Sequence, residues 1–370
     1  IGAMGKYEDR SLAKRRDSRN KTTSMYMSVQ PGVMFTSKVV DAGLNFTYKR
    51  ITERIGYKAF GTNTTGGIIY FFEGMWFYTS QQLGGTETFY DIYYKGSEYG
   101  GAAQMELKLG KRVKFFNQFS AEYSKMERFR FDLDQHMGDN DQLTYRYLGV
   151  LNFTGRCVDQ RLSVDASWGD LLKYNNIQEL ELDPETNQKS YKQYGRFLKF
   201  SQKQRSVDAD YKLYVKRNEW SSSWIVDVAY NYYKTESEYT IAPARYNQDV
   251  HFSKLMLGVT KNFRFDSRNW LAVTARGGYT FGGGNQLEKT SPEGVQIDNE
   301  NYRADLLAQE YAFLTNDRLN GEAGLRYTHY FPAKKIGLYV DLKGRAAWAR
   351  SGLMDGSRRG GVFAAVGLNF

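Results

Sequence analysis

The sequence predicts an all-β fold, a transmembrane antiparallel β-barrel of the outer-membrane type, and three observations predict it. First, the chain of 370 residues has a negative mean hydropathy yet holds 29 Tyr and 23 Phe. A chain this aromatic is not a disordered one, because disordered chains are poor in aromatics. Second, its most apolar stretches, Ile68 to Phe72 and Val362 to Val366, are far shorter than the roughly 20 residues a spanning helix needs. Third, apolar and polar residues alternate with a period of two through most of the chain. A membrane barrel reconciles these facts. Its strands alternate an apolar lipid face with a polar lumen, and aromatics gather at both interfaces.

The C-terminal segments show the period best. Val362, Ala364, Val366, Leu368 and Phe370 oppose Phe363, Ala365, Gly367 and Asn369. Ile336, Leu338, Val340, Leu342, Gly344, Ala346 and Trp348 oppose Gly337, Tyr339, Asp341, Lys343, Arg345 and Ala347. Such runs exceed the five or six residues usual in a sandwich strand and approach the 9–11 residues of a tilted membrane strand. Earlier segments behave alike: Leu44 and Phe46 oppose Asn45 and Lys49, Tyr145 and Tyr147 oppose Arg146, Tyr211 and Leu213 oppose Lys212, Val273 and Ala275 oppose Arg276, and Leu325 and Tyr327 oppose Arg326. In order, strands are predicted at 23–35, 42–54, 67–78, 87–95, 101–109, 112–133, 142–157, 160–173, 206–217, 222–234, 250–264, 269–282, 303–315, 319–331, 336–349 and 361–370. Residues 1–22 read as a loop or an incomplete N-terminal barrel segment, and 23–370 as the barrel. A closed barrel is preferred for so many strands because it leaves no unpaired edge.

Connections at 55–66, 134–141, 174–205, 235–249 and 283–302 are long and the others short. Outer-membrane barrels have short periplasmic turns and long outer loops, so 174–205, 235–249 and 283–302 are expected outside the cell. The alternation then fails once. Strand 23–35 would descend and 361–370 ascend, whereas a barrel ending at a C-terminal Phe should end descending. One strand between 283 and 361 is therefore missed or split wrongly. A descending first strand further implies barrel strands before Ile1, so 16 or more strands are expected in the full protein.

Few residues point to chemistry. One Cys excludes a disulfide framework and a Cys-rich metal site. His136, His251 and His329 form no His-x-x-x-His or His-Glu-x-x-His pattern, so no metal and no cofactor are expected. His251-Phe252-Ser253 could pair a base with a nucleophile only if the side chains met and a third group oriented them; no catalytic residue is assigned. Asp132, Asp134, His136, Asp139 and Asp141 form an acidic tip that reads as a solvated loop or an ion site. Gly282-Gly283-Gly284 lacks the Gly-Lys-Ser/Thr of a phosphate loop and reads as a flexible hairpin exit. Gly277 and Gly278 inside a strand signal a bend or room for a large neighbour.

The net charge is +10, but it is spread along the chain with no basic helix, so nucleic acid is not expected as a partner. Lys14, Arg15, Arg16, Arg19 and Lys21 read as a solvated loop. The polar faces carry the functional lead. Arg146, Lys212, Arg276, Arg326, Lys343 and Arg345, with Glu322 and Asp341, would line the lumen. Rings of Arg and Lys favour anions in pores. The alternative is a ladder of cross-strand ion pairs that stiffens the wall.

The ending Val366-Gly367-Leu368-Asn369-Phe370 resembles the C-terminal signature of outer-membrane barrels, which implies that Phe370 is an assembly signal and that the protein is multi-pass in a bacterial outer membrane facing lipopolysaccharide. With Tyr7-Glu8-Asp9-Arg10 and Gly356-Ser357-Arg358-Arg359, the chain resembles an uncharacterised family of outer-membrane barrels of Bacteroidota. Its members sit beside TonB-dependent receptors and surface lipoproteins. The resemblance implies a non-enzymatic accessory subunit or channel in nutrient or metal-chelate uptake. A scaffolding barrel in an envelope secretion or adhesion complex is the second reading, and a barrel lipase or protease the third.

Overall fold

A computed structural model describes residues 1–14, 19–58, 67–83, 89–130, 135–182, 185, 189–218, 221–293, 301–331 and 336–369. Its strands are β1 (Gly2–Ala13), β2 (Arg19–Thr36), β3 (Val40–Lys58), β4 (Gly67–Gly74), β5 (Phe77–Leu83), β6 (Phe89–Leu109), β7 (Val113–Arg130), β8 (Gln135–Thr154), β9 (Val158–Leu182), β10 (Lys189–Asn218), β11 (Ser221–Ile241), β12 (Ala244–Arg264), β13 (Asn269–Thr290), β14 (Arg318–Phe331), β15 (Ile336–Ala349) and β16 (Arg358–Asn369), with one helix, α1 (Ala304–Thr315). Fourteen strands make one antiparallel meander, β1-β2-β3-β6 and onward in chain order to β16, while β4 and β5 form a separate hairpin. Among the described residues β1 pairs only with β2 and β16 only with β15. The even number of strands leaves these two end strands antiparallel to each other.

The alternation survives as two faces. Leu255, Leu257 and Val259 on β12, Leu325 and Tyr327 on β14, and Leu338, Val340 and Leu342 on β15 are exposed on the outer face. The opposite face carries the charged side chains. It also carries most of the buried residues at one rim, where β9 to β13 run 21 to 30 residues each.

Several expectations are corrected. Residues 303–315 are α1, not a strand, and Ala-Asp-Leu-Leu-Ala-Gln-Glu is a run of mostly good helix formers. Removing that strand repairs the alternation, so β16 runs opposite to the direction first derived. The two strands expected at 87–95 and 101–109 are one over the described residues, β6 from Phe89 to Leu109, because Gly100 and Gly101 stay in the ladder. Residues 67–78 belong to the β4–β5 hairpin outside the main sheet. Residues 2–13 form β1 and 19–22 open β2, with the two strands paired in continuous register, as a barrel segment would be. The expected loops 174–205 and 235–249 are mostly strand, with β11 and β12 joined by a tight turn at Ala242-Pro243. Their residues are polar on both faces, which hides period two.

Candidate functional site

The inner wall is a lattice of cross-strand charge pairs. One rung crosses six strands as Asp227, Gly258, Arg276, Glu322, Arg345 and Gly361. Arg276 bonds Asp227 (Nε–Oδ2 3.1 Å) and approaches Glu322 (3.8 Å), and Arg345 donates from Nε to Glu322 Oε2 at 2.8 Å. Gly258 is what lets this rung close: a methyl there would stand 2.5 Å from Asp227 Oδ1 and 2.6 Å from Arg276 Cγ. Elsewhere Arg146 pairs with Asp165 through Nε at 2.8 Å, Lys343 with Asp341 at 3.5 Å, Lys108 with Asp41 at 2.7 Å, and Lys49 with both Glu98 and Glu122. Arg326 lies over the Tyr339 ring, 4.0 Å from its centroid, and not on Asp341, its register partner. Among the described residues Lys212 makes no ion pair. Most of the predicted lumen cations thus neutralise a neighbour.

Glu322→Gln is expected to lower thermal stability by about 1–3 kcal/mol, since a part-buried charged acceptor serves two guanidinium groups. Differential scanning calorimetry in detergent checks this, and an unchanged midpoint would show that the rung bears no load.

One rim is covered from within. The β4–β5 hairpin leaves the sheet between β3 and β6, and its tip is buried against β10, β11 and β12. Phe77 is 0% exposed and stacks on Tyr239 with ring centroids 4.3 Å apart, beside Tyr246 at 4.8 Å. Met75, Phe200, Ala244 and Leu307 of α1 complete the cluster. Tyr239 donates its hydroxyl to Glu73 Oε2 at 2.7 Å, and Lys173 donates to the Glu73 carbonyl at 3.3 Å. These groups lie beyond the outer apolar band. Burial there pushes the Tyr239 phenol up, keeping it a donor, and pushes the Lys173 and Lys199 amines down. The loop before α1 is stitched to the hairpin: Tyr78 N–H donates to the Asn301 carbonyl and Arg303 N–H to that of Trp76. Trp76 Nε1 also donates to Glu310 of α1 at 2.5 Å.

The glycine run has a role that sequence did not suggest. β13 passes straight through Gly282 to Gly284, Tyr311 of α1 donates to the Gly284 carbonyl at 2.5 Å, and a methyl on Gly282 would meet Thr315 at 2.8 Å. The glycines seat the helix against the wall and are not a flexible exit. Gly278 does make room for a neighbour, Met256, whereas Gly277 faces open space.

The remaining candidates separate. Asp132, Asp134 and Phe370 lie outside the described residues. Asp139 is buried between His136 (2.9 Å) and Arg196 (3.4 Å), and Asp141 accepts from Tyr123 at 3.3 Å. Among the described residues no three His, Cys, Asp or Glu are arranged to hold a metal. His251 lies 3.8 Å from Asp249, but the Ser253 hydroxyl is hydrogen-bonded to Tyr230, not to His251. The capped rim was missed from sequence, although Gly74 between two aromatic runs is a hairpin signal.

An even-stranded antiparallel meander, apolar outside and charge-paired inside, is a β-barrel fold of the outer-membrane type. Residues 1–370 match the profile of a family described as a "Family of unknown function (DUF6850)", and the chain belongs to that family. No curated protein sequence matches it. Among solved structures it is similar to the siderophore receptor PiuA from Acinetobacter baumannii (TM-score 0.49, 11% identity, 98% of this chain) and spans 59% of that receptor. It is also similar to the β-domain of the Bordetella autotransporter BrkA (TM-score 0.27, 12% identity, 75% of this chain and 89% of that one). A third is the Pseudomonas putida toluene transporter TodX (TM-score 0.26, 7% identity, 99% of this chain and 86% of that one). The fold class stands on strand order and faces, not on these distant likenesses.

Proposed function

We propose that this chain is a non-enzymatic barrel of a bacterial outer membrane, an accessory subunit in nutrient or metal-chelate uptake whose mouth is closed by its own hairpin and helix. The hairpin is the observation that carries the reading, because its two faces differ. Ile69, Glu73, Met75 and Phe77 are buried against the wall, whereas Ile68, Tyr70 and Phe72 are about half exposed at 53%, 50% and 49%. Tyr70 and Phe72 pack edge-on with Tyr78 and Trp76 into an aromatic ladder. An exposed apolar patch on an otherwise polar surface marks a site of protein interaction. A closed mouth with such a patch fits a barrel that works with a TonB-dependent receptor or surface lipoprotein better than a pore that stands open. The Bacteroidota origin implied by the sequence resemblance agrees with that pairing.

Under this reading the rim with the hairpin and α1 faces outward, and the short connections face the periplasm. Trypsin added to intact cells is expected to cut near Lys189 and Lys192, at the exposed end of β10. Cutting only after the outer membrane is breached would invert the orientation. Native purification followed by mass spectrometry tests the accessory role: recovery with a receptor or lipoprotein, lost on Tyr70→Ser with Phe72→Ser, supports it. Recovery with secretion or adhesion components would favour the scaffold reading.

A further inference from the structure

We infer that Glu73 of the hairpin fills, in the shut mouth, a binding socket for a carboxylate-bearing solute, built by Lys173, Lys199 and Tyr239 on the wall, and that such a solute competes with the hairpin for it. The inference rests on the uptake reading and deepens it by naming a ligand class and the contact it must displace.

The wall is shaped for the contact from both sides. On β10 the register against β9 slips between Leu198 and Phe200. Such a bulge re-aims a side chain, and here Lys199 and Phe200 both reach the hairpin. On the hairpin, Gly74 adopts φ 143° and lies against the Phe200 ring, where a methyl would stand 2.5 Å from Cδ2. Only glycine allows that approach, and it sets Glu73, one residue earlier, among the wall's polar groups. Glu73 is 8% exposed. Its Oε2 accepts the Tyr239 hydroxyl at 2.7 Å and lies 4.0 Å from Lys199 Nζ, while its main-chain carbonyl accepts from Lys173 at 3.3 Å.

Glu73 satisfies only part of what the socket offers. Among the described residues it is the one acid paired with Lys199, and Lys173 makes no ion pair. Each ammonium stands over a ring, Lys173 5.0 Å from the Phe200 centroid and Lys199 4.6 Å from that of Tyr239. Arg128 on β7 is a third cation, and its field reaches both Lys173 and Tyr239. Its guanidinium donates to Asn175 at 3.1 Å, and Glu53, a carboxylate on its rung, stands two strands away beyond Tyr94. The other acids of this rim are engaged: Asp139 by His136 and Arg196, and Glu310 by Trp76. A single carboxylate therefore serves two buried ammonium groups with a guanidinium nearby. Burial disfavours a charged amine and an adjacent anion restores it, so a solute with two or three carboxylates would suit the socket better than Glu73 does. Hard metal cations are held by oxygen ligands of this kind, so a carboxylate-rich chelate fits the solute class of the uptake reading.

The test is calorimetric titration of the full chain in detergent with citrate as the probe, alongside hydrogen exchange of residues 67–83 read by mass spectrometry. Citrate is expected to bind saturably and to speed exchange in the hairpin, whereas sodium sulfate at equal ionic strength does not. Glu73→Gln should speed exchange with no citrate present and tighten citrate binding several-fold, because apparent affinity scales with the fraction of molecules whose site is free. Lys199→Gln should also speed exchange, yet weaken citrate binding by about tenfold, as loss of one charge-assisted contact does. These opposite signs separate a socket from a merely structural contact, which would loosen the hairpin in both variants and leave citrate binding untouched. Lys212→Gln, further along β10, should change neither reading. A wild type that binds no citrate, a hairpin indifferent to citrate, an equal response to sulfate, or a Glu73→Gln variant that binds citrate no tighter each overturns the inference. Both readings use the purified chain without a partner, so failure here leaves the accessory role standing, and failure of that role leaves this result readable.

Discussion

Phe77→Ala is expected to turn a silent barrel into a conducting one. Wild type in a planar bilayer should show no steady current, because the hairpin tip and α1 close the rim. Phe77 is fully buried between Tyr239, Tyr246 and Tyr302. Replacing a buried Phe by Ala costs about 3–5 kcal/mol. The hairpin meets the wall through two small clusters, this one at its tip and a second of Ile69 with Ile92 at its base, and a few hydrogen bonds, so this loss should appear as undocking of the hairpin tip and not as unfolding of the sheet. Steady or flickering conductance is the expected reading, with the main thermal transition little changed. Deletion of residues 67–83 should give the same current without the lid. If both variants stay silent, the lumen is blocked below the hairpin, and the closed-mouth reading fails.

Val340→Arg is expected to abolish assembly, while Asp341→Asn is tolerated. Val340 stands exposed on the outer face of β15 between Leu338 and Leu342, and Asp341 points inward onto Lys343. An Arg at the midplane of the lipid face costs about 2–4 kcal/mol. Losing one half-exposed lumen pair costs a fraction of that. Heat-modifiable migration of the membrane fraction separates the two. Equal behaviour would mean that this face of β15 does not meet lipid.

Where one face meets an apolar surrounding and the other water, the fold was legible in the sequence. On β12 to β16 each residue's face follows from its parity, and Val340, Leu342, Arg276, Glu322 and Arg345 lie on the faces that alternation gives them. Legibility ends where both faces are polar, as in the upper parts of β9 and β10, because period two then has no contrast. It also ends at α1, whose aromatic and aliphatic residues were forced into a strand although Ala, Leu, Gln and Glu favour helix. The site was half legible. That cations line the lumen followed from the pattern; which carboxylate each one meets depended on register. Arg326, opposite Asp341 yet stacked on Tyr339, could not be paired from sequence.

The turn at the hairpin tip sets how easily the mouth can change state. Met75 and Trp76 both sit in the left-handed region, with φ of 48° and 60°, where turns of this kind ordinarily place Asn or Gly. Each such non-glycine residue forfeits about 1–2 kcal/mol. The docked hairpin therefore gives back part of what its buried aromatics gain, and the gap between shut and open populations narrows. Moving an equilibrium from 1:99 to 99:1 takes a differential affinity of about 5.5 kcal/mol. A partner gripping the exposed aromatic ladder would need to supply less than a fully relaxed tip would demand.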